Sequence, residues 1–353
     1  VTIGICMPYQ SDELLSSWLV RVAMAQGCDP LVLTGHFWPQ RRVWTVDLDR
    51  GSVGSPVAGM ALSDDALSNM TLRDIAARIM CPVSRAATWP WILAAGCRNR
   101  ARHGGLQFCP CCLASDARPY YRRRWRLAWH TGCSIHDCTL LDHCDTCGAV
   151  LEPHRLTLAD AHVAICANCK ADLRNQTALP WSPWAAQFQC LSDEVLAREY
   201  GRYGGVALPA SAWFSLARFV IALIRAAVRT GHERFRRVFA HLDLEQSLPK
   251  SPATGLALEL LPVGERAALL ALACRTLEEG PDALVHALSS AGITQCALQS
   301  VGGEIPMCLG SLVSIFPLGA RNSRRRSPVI ASHSRSRIAV ERMVARLRRK
   351  VRR

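Results

Sequence analysis

The chain contains no run of 18 uncharged apolar residues. Its longest apolar stretch, Trp213 to Val228, is interrupted by Arg218 and Arg225, which argues against a membrane span. No P-loop, no Gly-x-Ser-x-Gly elbow, no His-Glu-x-x-His pair and no kinase motif occurs. P-loop nucleotide hydrolysis and the chemistries of those other motifs are not expected. The nucleobase-deaminase pattern is missing too: there is no His-x-Glu, and Pro110 runs directly into Cys111 and Cys112. Val1 to Met7 is too short for the charged region and apolar core of a secretory leader. A reducing cytoplasmic setting, close to the nucleoid, is therefore expected, and disulfides are not.

What the chain does have is paired cysteine. Eight residues fall into four pairs, each with two residues between its members: Cys109/Cys112, Cys133/His136, Cys144/Cys147 and Cys166/Cys169. A tight turn with that spacing aims two side chains at one metal ion, and two such turns close a tetrahedral site. The set predicts two structural Zn2+ ions in tandem. The first would use three thiolates and an imidazole, the second four thiolates. The spacing permits either sequential or interleaved ligand sets, and it also allows His130 to replace His136. An iron–sulfur cluster prefers four thiolates, so His136 favours zinc. Filled sites hold structure and leave no open position for bond chemistry. Cys111 and Cys138 are surplus to the pattern. Cys6, Cys28, Cys81, Cys97, Cys190, Cys274, Cys296 and Cys308 are scattered and read as small core residues.

The formal net charge of +14 is concentrated at one end. From Arg321 to Arg353 there are 13 Lys and Arg against one acid, Glu341. Arg324, Arg325 and Arg326 are candidate phosphate contacts within this stretch. A second basic cluster, Arg122, Arg123, Arg124 and Arg126, lies inside the first zinc loop beside Tyr120, Tyr121, Trp125 and Trp129. Basic and aromatic residues on a metal-braced loop suit nucleic acid. They would equally suit an acidic protein face.

Four segments are expected: an N-terminal helical domain at 1–104, a tandem zinc-ribbon region at 105–175, a helical C-terminal domain at 176–320 and a basic, disordered tail at 321–353. The fold class is mainly α with small zinc-ribbon β elements. In the first segment a helix capped by Ser11 carries Leu14, Leu15, Trp18, Leu19 and Val22 on one face and stops at Gly27. Arg21 on it reads as a surface charge. Phe37, Trp38 and Trp44, interleaved with Arg41 and Arg42, read as a small core with a charged rim, and 51–59 as a loop. A second helix starts at Thr71 with a Thr71/Asp74 capping box. Short helices with short connections are compatible with a helix-turn-helix. Beyond the junction at Trp181, Pro183 and Trp184, helices are predicted over 191–200, 210–230, 264–279 and 281–291, with a linker at 249–252.

These residues resemble the TniQ family, which includes the TnsD-type target selectors of bacterial transposons. Pro8, Asp12, Glu13, Leu15, Ser17, Trp18, Leu19, Arg21 and Gly27 are similar to its opening pattern. Phe108, Cys109, Pro110 and Cys112, then Tyr121, Trp125, Cys133, His136, Leu140, Cys144 and Cys147, are similar to its zinc segment, with Cys166 and Cys169 completing the second site. The likeness covers residues 5–175 and not the Arg-rich tail. It implies a non-catalytic adaptor that selects the target site in DNA transposition. Its partners would be DNA, an AAA+ ATPase of the TniB/TnsC kind and, through it, the transposase. Some relatives are carried by an RNA-guided complex, and some of those form homodimers. The rival expectations are a purely protein-binding module, a zinc-ribbon transcription regulator and, weakest, an enzyme with zinc-bound water.

Overall fold

Ala and Leu recurring at helical spacing make this chain mainly helical, and among the described residues β structure is confined to two short antiparallel pairs. The computed structural model describes residues 7–37, 47, 63–79, 89–93, 105–229, 233–250, 255–302, 305–314 and 316–319. Several expectations lie outside these residues. They concern Trp38, Arg41, Arg42 and Trp44, the loop at 51–59, Cys6, Cys81 and Cys97, and the tail with Arg324, Arg325 and Arg326. The chain divides at Pro317 into Val1–Pro317, one compact unit, and Leu318–Arg353, of which only residues 318 and 319 are described.

The first helix, α1 (Leu15–Ala25), buries the predicted apolar face, and Gly27 ends it at φ +72°. Ser11 does not cap it. The cap position is Leu14, whose backbone N–H donates to the Tyr121 carbonyl at 2.9 Å. A short α2 (Pro30–Phe37) follows, unanticipated. Ser63 caps α3 (Asp64–Met70) by accepting from the Ala66 N–H at 3.1 Å, and α4 (Arg73–Arg78) comes next. The expected Thr71/Asp74 capping box is not formed. Thr71 donates to the Ser68 carbonyl, closing the preceding helix, and Asp74 is drawn away to Arg123.

The metal-ligand segment begins with α5 (Pro110–Ser115) and carries the small hairpin β1 (Gly132–Cys133) and β2 (Cys138–Thr139). Beyond it, α6 (Pro183–Arg198) leads into the hairpin β3 (Tyr200–Tyr203) and β4 (Val206–Pro209). Its two-residue turn, Gly204-Gly205, has φ of +56° and +80°, which glycine adopts without steric cost. The remaining helices are α7 (Ala210–Val228), α8 (Glu233–His241), α9 (Val263–Glu278), α10 (Gly280–Ser290), α11 (Gln295–Gly302) and α12 (Met307–Val313). The predicted helices at 210–230, 264–279 and 281–291 are present within two residues at each end. The residues read as a junction, Pro183 and Trp184, instead open α6.

By length and composition α7 could cross a membrane. It packs as a core helix against α6, α8 and α9, with Trp213, Phe214, Leu216, Leu223 and Ile224 buried. Its two charges are satisfied within the protein: Arg218 pairs with the buried Glu259, and Arg225 donates to the Leu256 carbonyl. One aromatic cluster joins three stretches of sequence. Trp91 meets Trp129 edge-on at 6.1 Å, Trp129 meets Phe214 at 5.0 Å, and Phe188 meets Trp213 at 5.8 Å. Rings at such separations add about 0.5–1.5 kcal/mol per pair beyond the area they bury.

His154, in a single 3-10 turn at Pro153–Arg155, packs at the α1 and α2 side of this unit. Burial holds its imidazole neutral and pushes its pKa down from 6.5 to about 4. The unfolded chain therefore takes up a proton near pH 6.5 that the folded chain refuses until about pH 4. Stability is expected to fall as pH drops through that window, by about 2–3 kcal/mol at its lower end. Urea denaturation of wild type and His154→Leu at pH 7 and pH 4.5 checks this, since the variant loses that part of the acid sensitivity.

Candidate metal centres and the arginine segment

The four Cys/His pairs assemble in sequence order into two clusters, Cys109, Cys112, Cys133 and His136, then Cys144, Cys147, Cys166 and Cys169. In the first, Pro110 starts α5 and Cys109 occupies its cap position, so both cysteines of the pair sit on one rigid turn. The β1–β2 hairpin carries the other two. His136 Nδ1 lies 3.5, 3.4 and 3.5 Å from the sulfurs of Cys109, Cys112 and Cys133, and Cys112 and Cys133 are 3.5 Å apart. In the second cluster Cys144 and Cys169 are 3.7 Å apart and Cys147 and Cys166 3.8 Å. Zinc–sulfur bonds of about 2.3 Å in a tetrahedron require sulfur–sulfur edges of about 3.8 Å. Both donor sets could hold a metal ion. His130 is not among them, because its Nε2 is held by Asp193 at 2.8 Å.

The surroundings suit anionic sulfur. Gln176 Nε2 donates to Cys144 at 3.2 Å and Asn168 Nδ2 to Cys147 at 3.4 Å. That Asn168 contact pulls the Cys147 thiol down to about 6. Burial pushes Cys166 up to about 12, and its neighbouring thiols push Cys109 up as well. Four crowded thiols cannot all ionise beside one another unless a cation lies between them. Asn168 and Gln176 were not singled out from sequence, although Asn168 sits inside its own Cys-x-x-Cys. Cys111 and Cys138 form a further group with Cys109, whose sulfur lies 3.6 Å from that of Cys138.

The arginines expected to contact phosphate are each engaged within the chain, and Arg124 alone of the four is exposed. Arg122 forks onto Asp116 at 2.7 and 3.1 Å and stacks over the Tyr120 and Trp125 rings. Arg123 pairs with Asp74 and donates to the Thr71 carbonyl. Arg124, 43% exposed, pairs with Asp12 at 2.6 Å. Arg126 is 1% exposed and joins Asp47 at 2.7 Å and the Leu93 carbonyl at 2.9 Å. Tyr121, Trp125 and Trp129 are buried with it and cannot stack on bases. Each of these guanidiniums is spent on a carboxylate of this chain.

The residues of the opening motif are the other half of that wiring. Arg21, expected at the surface, is 6% exposed and pairs with the fully buried Glu13. Ser17 donates to Glu13 at 3.0 Å and accepts from the Tyr121 N–H at 2.9 Å. Ser16 donates twice to Asp47, which Arg126 also holds. Burial pushes the Glu13 and Asp47 carboxyls up, and the nearby arginines oppose this. The partial sequence signal was Ser17 and Arg21, four apart and so on one face of α1, with Glu13 just before its cap.

Two measurements check these assignments. Metal analysis of purified protein is expected to give two zinc ions per chain, and Cys144→Ser one, with the first site retained. Glu13→Gln leaves Arg21 buried without its counter-charge and is expected to lower stability by about 3–5 kcal/mol. A denaturation midpoint equal to wild type would remove the pair from the account.

No curated protein and no solved structure matches the chain. The family model described as TniQ matches residues 5–140, a stretch that holds the Glu13–Arg21 pair, the arginine segment and the whole first cluster. The match of residues 5–140 to the TniQ model supports assignment to that family.

Proposed function

We propose that this protein is a non-catalytic, zinc-stabilised adaptor that selects the target site in DNA transposition. The single observation that carries the reading is the TniQ match, which is consistent with that role. The two donor sets, each complete with four protein ligands at tetrahedral spacing, support structural zinc. A filled site offers no water for hydrolysis, so the work is positioning. The adaptor would act in the cytoplasm, passing its site to an AAA+ ATPase of the TniB/TnsC kind and through it to a transposase.

DNA contact in this reading falls to two basic stretches. Arg124 keeps part of its surface, and the basic end with Arg324, Arg325 and Arg326 supplies most of the excess. Such contacts orient a protein on phosphate without reading bases, and base reading would fall to a helix-turn-helix-like pair in the N-terminal segment. A purely protein-binding module is the second reading, favoured by the inward-facing arginines, which leave the body of the molecule less basic than its sequence suggests.

Duplex binding by the full-length, zinc-loaded chain is expected to weaken steeply between 50 and 200 mM salt, on the order of tenfold for each one or two phosphates neutralised. Replacing Arg324, Arg325 and Arg326 with Gln is expected to flatten that slope. Absence of any salt-dependent affinity, with retention of the ATPase from nuclease-treated extract, selects the protein-binding reading.

A further inference from the structure

A cleft of about 430 Å³ lies beside the C-terminal half of α1, and none of the eight cluster residues lines it. Arg21, Arg118, His162 and Arg174 line it, together with Met7 and Met24. Its volume falls in the range of small-ligand pockets, about 300–1,000 Å³. Two of the lining groups carry buried nitrogens with no hydrogen-bond partner. Arg21 spends Nη1 on Glu13, while its buried Nη2 has none. His162 Nδ1 is likewise buried and unpartnered, and its Nε2 stands 3.9 Å from Asp172, beyond hydrogen-bond reach. A buried donor left without an acceptor costs about 1–3 kcal/mol. Both orphans belong to residues lining this one cleft.

The charge balance identifies that acceptor. Glu13 neutralises Arg21, and Asp172 neutralises Arg174. Asp116, the acid in the lining, is held by both oxygens on Arg122. Arg118 is exposed and has no counter-charge among the described residues. The cleft is therefore left with one positive charge, matched to one negative charge. A guanidinium fork suits a planar carboxylate. The side chains of Met7, Met24 and Val163 offer apolar surface to a carbon body attached to it.

We infer that this cleft binds a monocarboxylate carried on an apolar body, with Arg21 Nη2, His162 Nδ1 and Arg118 as donors. The carboxylate could be a free acid or the side chain of an acidic residue flanked by apolar ones, and the test separates these sources.

Full-length, zinc-loaded protein labelled with 15N-arginine is titrated with benzoate, benzamide and the blocked tripeptide acetyl-Val-Glu-Val-amide. Saturable binding by benzoate or the tripeptide is expected, with a shift of the Arg21 side-chain signals and no response to neutral benzamide. A preference for the tripeptide assigns the acid to a partner's side chain, and a preference for benzoate assigns it to a free acid. Arg118→Gln, at an exposed position without a partner, is expected to weaken binding about tenfold with zinc content and helicity unchanged. His162→Gln provides a second variant. The inference is overturned if neither carboxylate saturates, if Arg118→Gln binds as wild type does, or if benzamide binds as well as benzoate.

Discussion

A guanidinium taken out of water must find a counter-charge or a set of carbonyl groups, and that requirement organises this protein. Arg21 has Glu13, Arg122 has Asp116, and Arg126 has Asp47. Arg266 on α9 forms no ion pair among the described residues. It donates to the carbonyl oxygens of Leu261 and Ala128 and to the side chain of Gln107, and burial pushes its pKa down to about 10. Such pairs contribute less to net stability than their number suggests, because desolvation offsets the attraction. Their effect is specificity. Arg126 can be buried only where Asp47 and the Leu93 carbonyl already stand, so the α1 region and the metal-ligand segment fit in one arrangement.

This explains how the opening motif and the cysteine pairs operate together. Asp12, Glu13 and Ser17 all engage residues between Tyr121 and Arg124 or the helix that packs on them. The backbone adds to this, with Leu14 donating to Tyr121 and Arg123 to Asp12. A motif that reads as two separate signatures is one interface. The two clusters that could hold metal ions lie in the same segment, and Asp142, two residues before Cys144, caps α9 by accepting from the Val263 N–H at 2.8 Å.

What was legible in the sequence was what covalent geometry fixes. Two residues between ligands aim both at one metal ion, so the four pairs could be read off, whereas their sequential grouping and the place of His136 rather than His130 needed the fold. Apolar periodicity likewise gave α1, α7, α9 and α10. What was illegible was direction. Arg122 to Arg126 beside four aromatic residues reads the same whether the arginines face solvent or carboxylates, and the carboxylates lie up to 112 positions away, as Asp12 does from Arg124. The capping box failed for a related reason, since Arg123 competes for Asp74 and wins. The β3–β4 hairpin had a local signal in Gly204-Gly205, masked by the Ala-rich helices around it. Arg21 and His162 lie 141 positions apart, and no local pattern predicts their meeting at one cleft.

The three acceptors of Arg266 carry a temporal implication. Two of them, on Ala128 and Gln107, precede it by 138 and 159 residues. During synthesis both receptor groups leave the ribosome long before the helix that seeks them. Closing so long a loop is entropically slow unless its first end is already rigid. The two cysteine clusters, which could hold metal ions, are likewise synthesised before or around that first end, so a metal bound early would stiffen the socket before the C-terminal helices arrive.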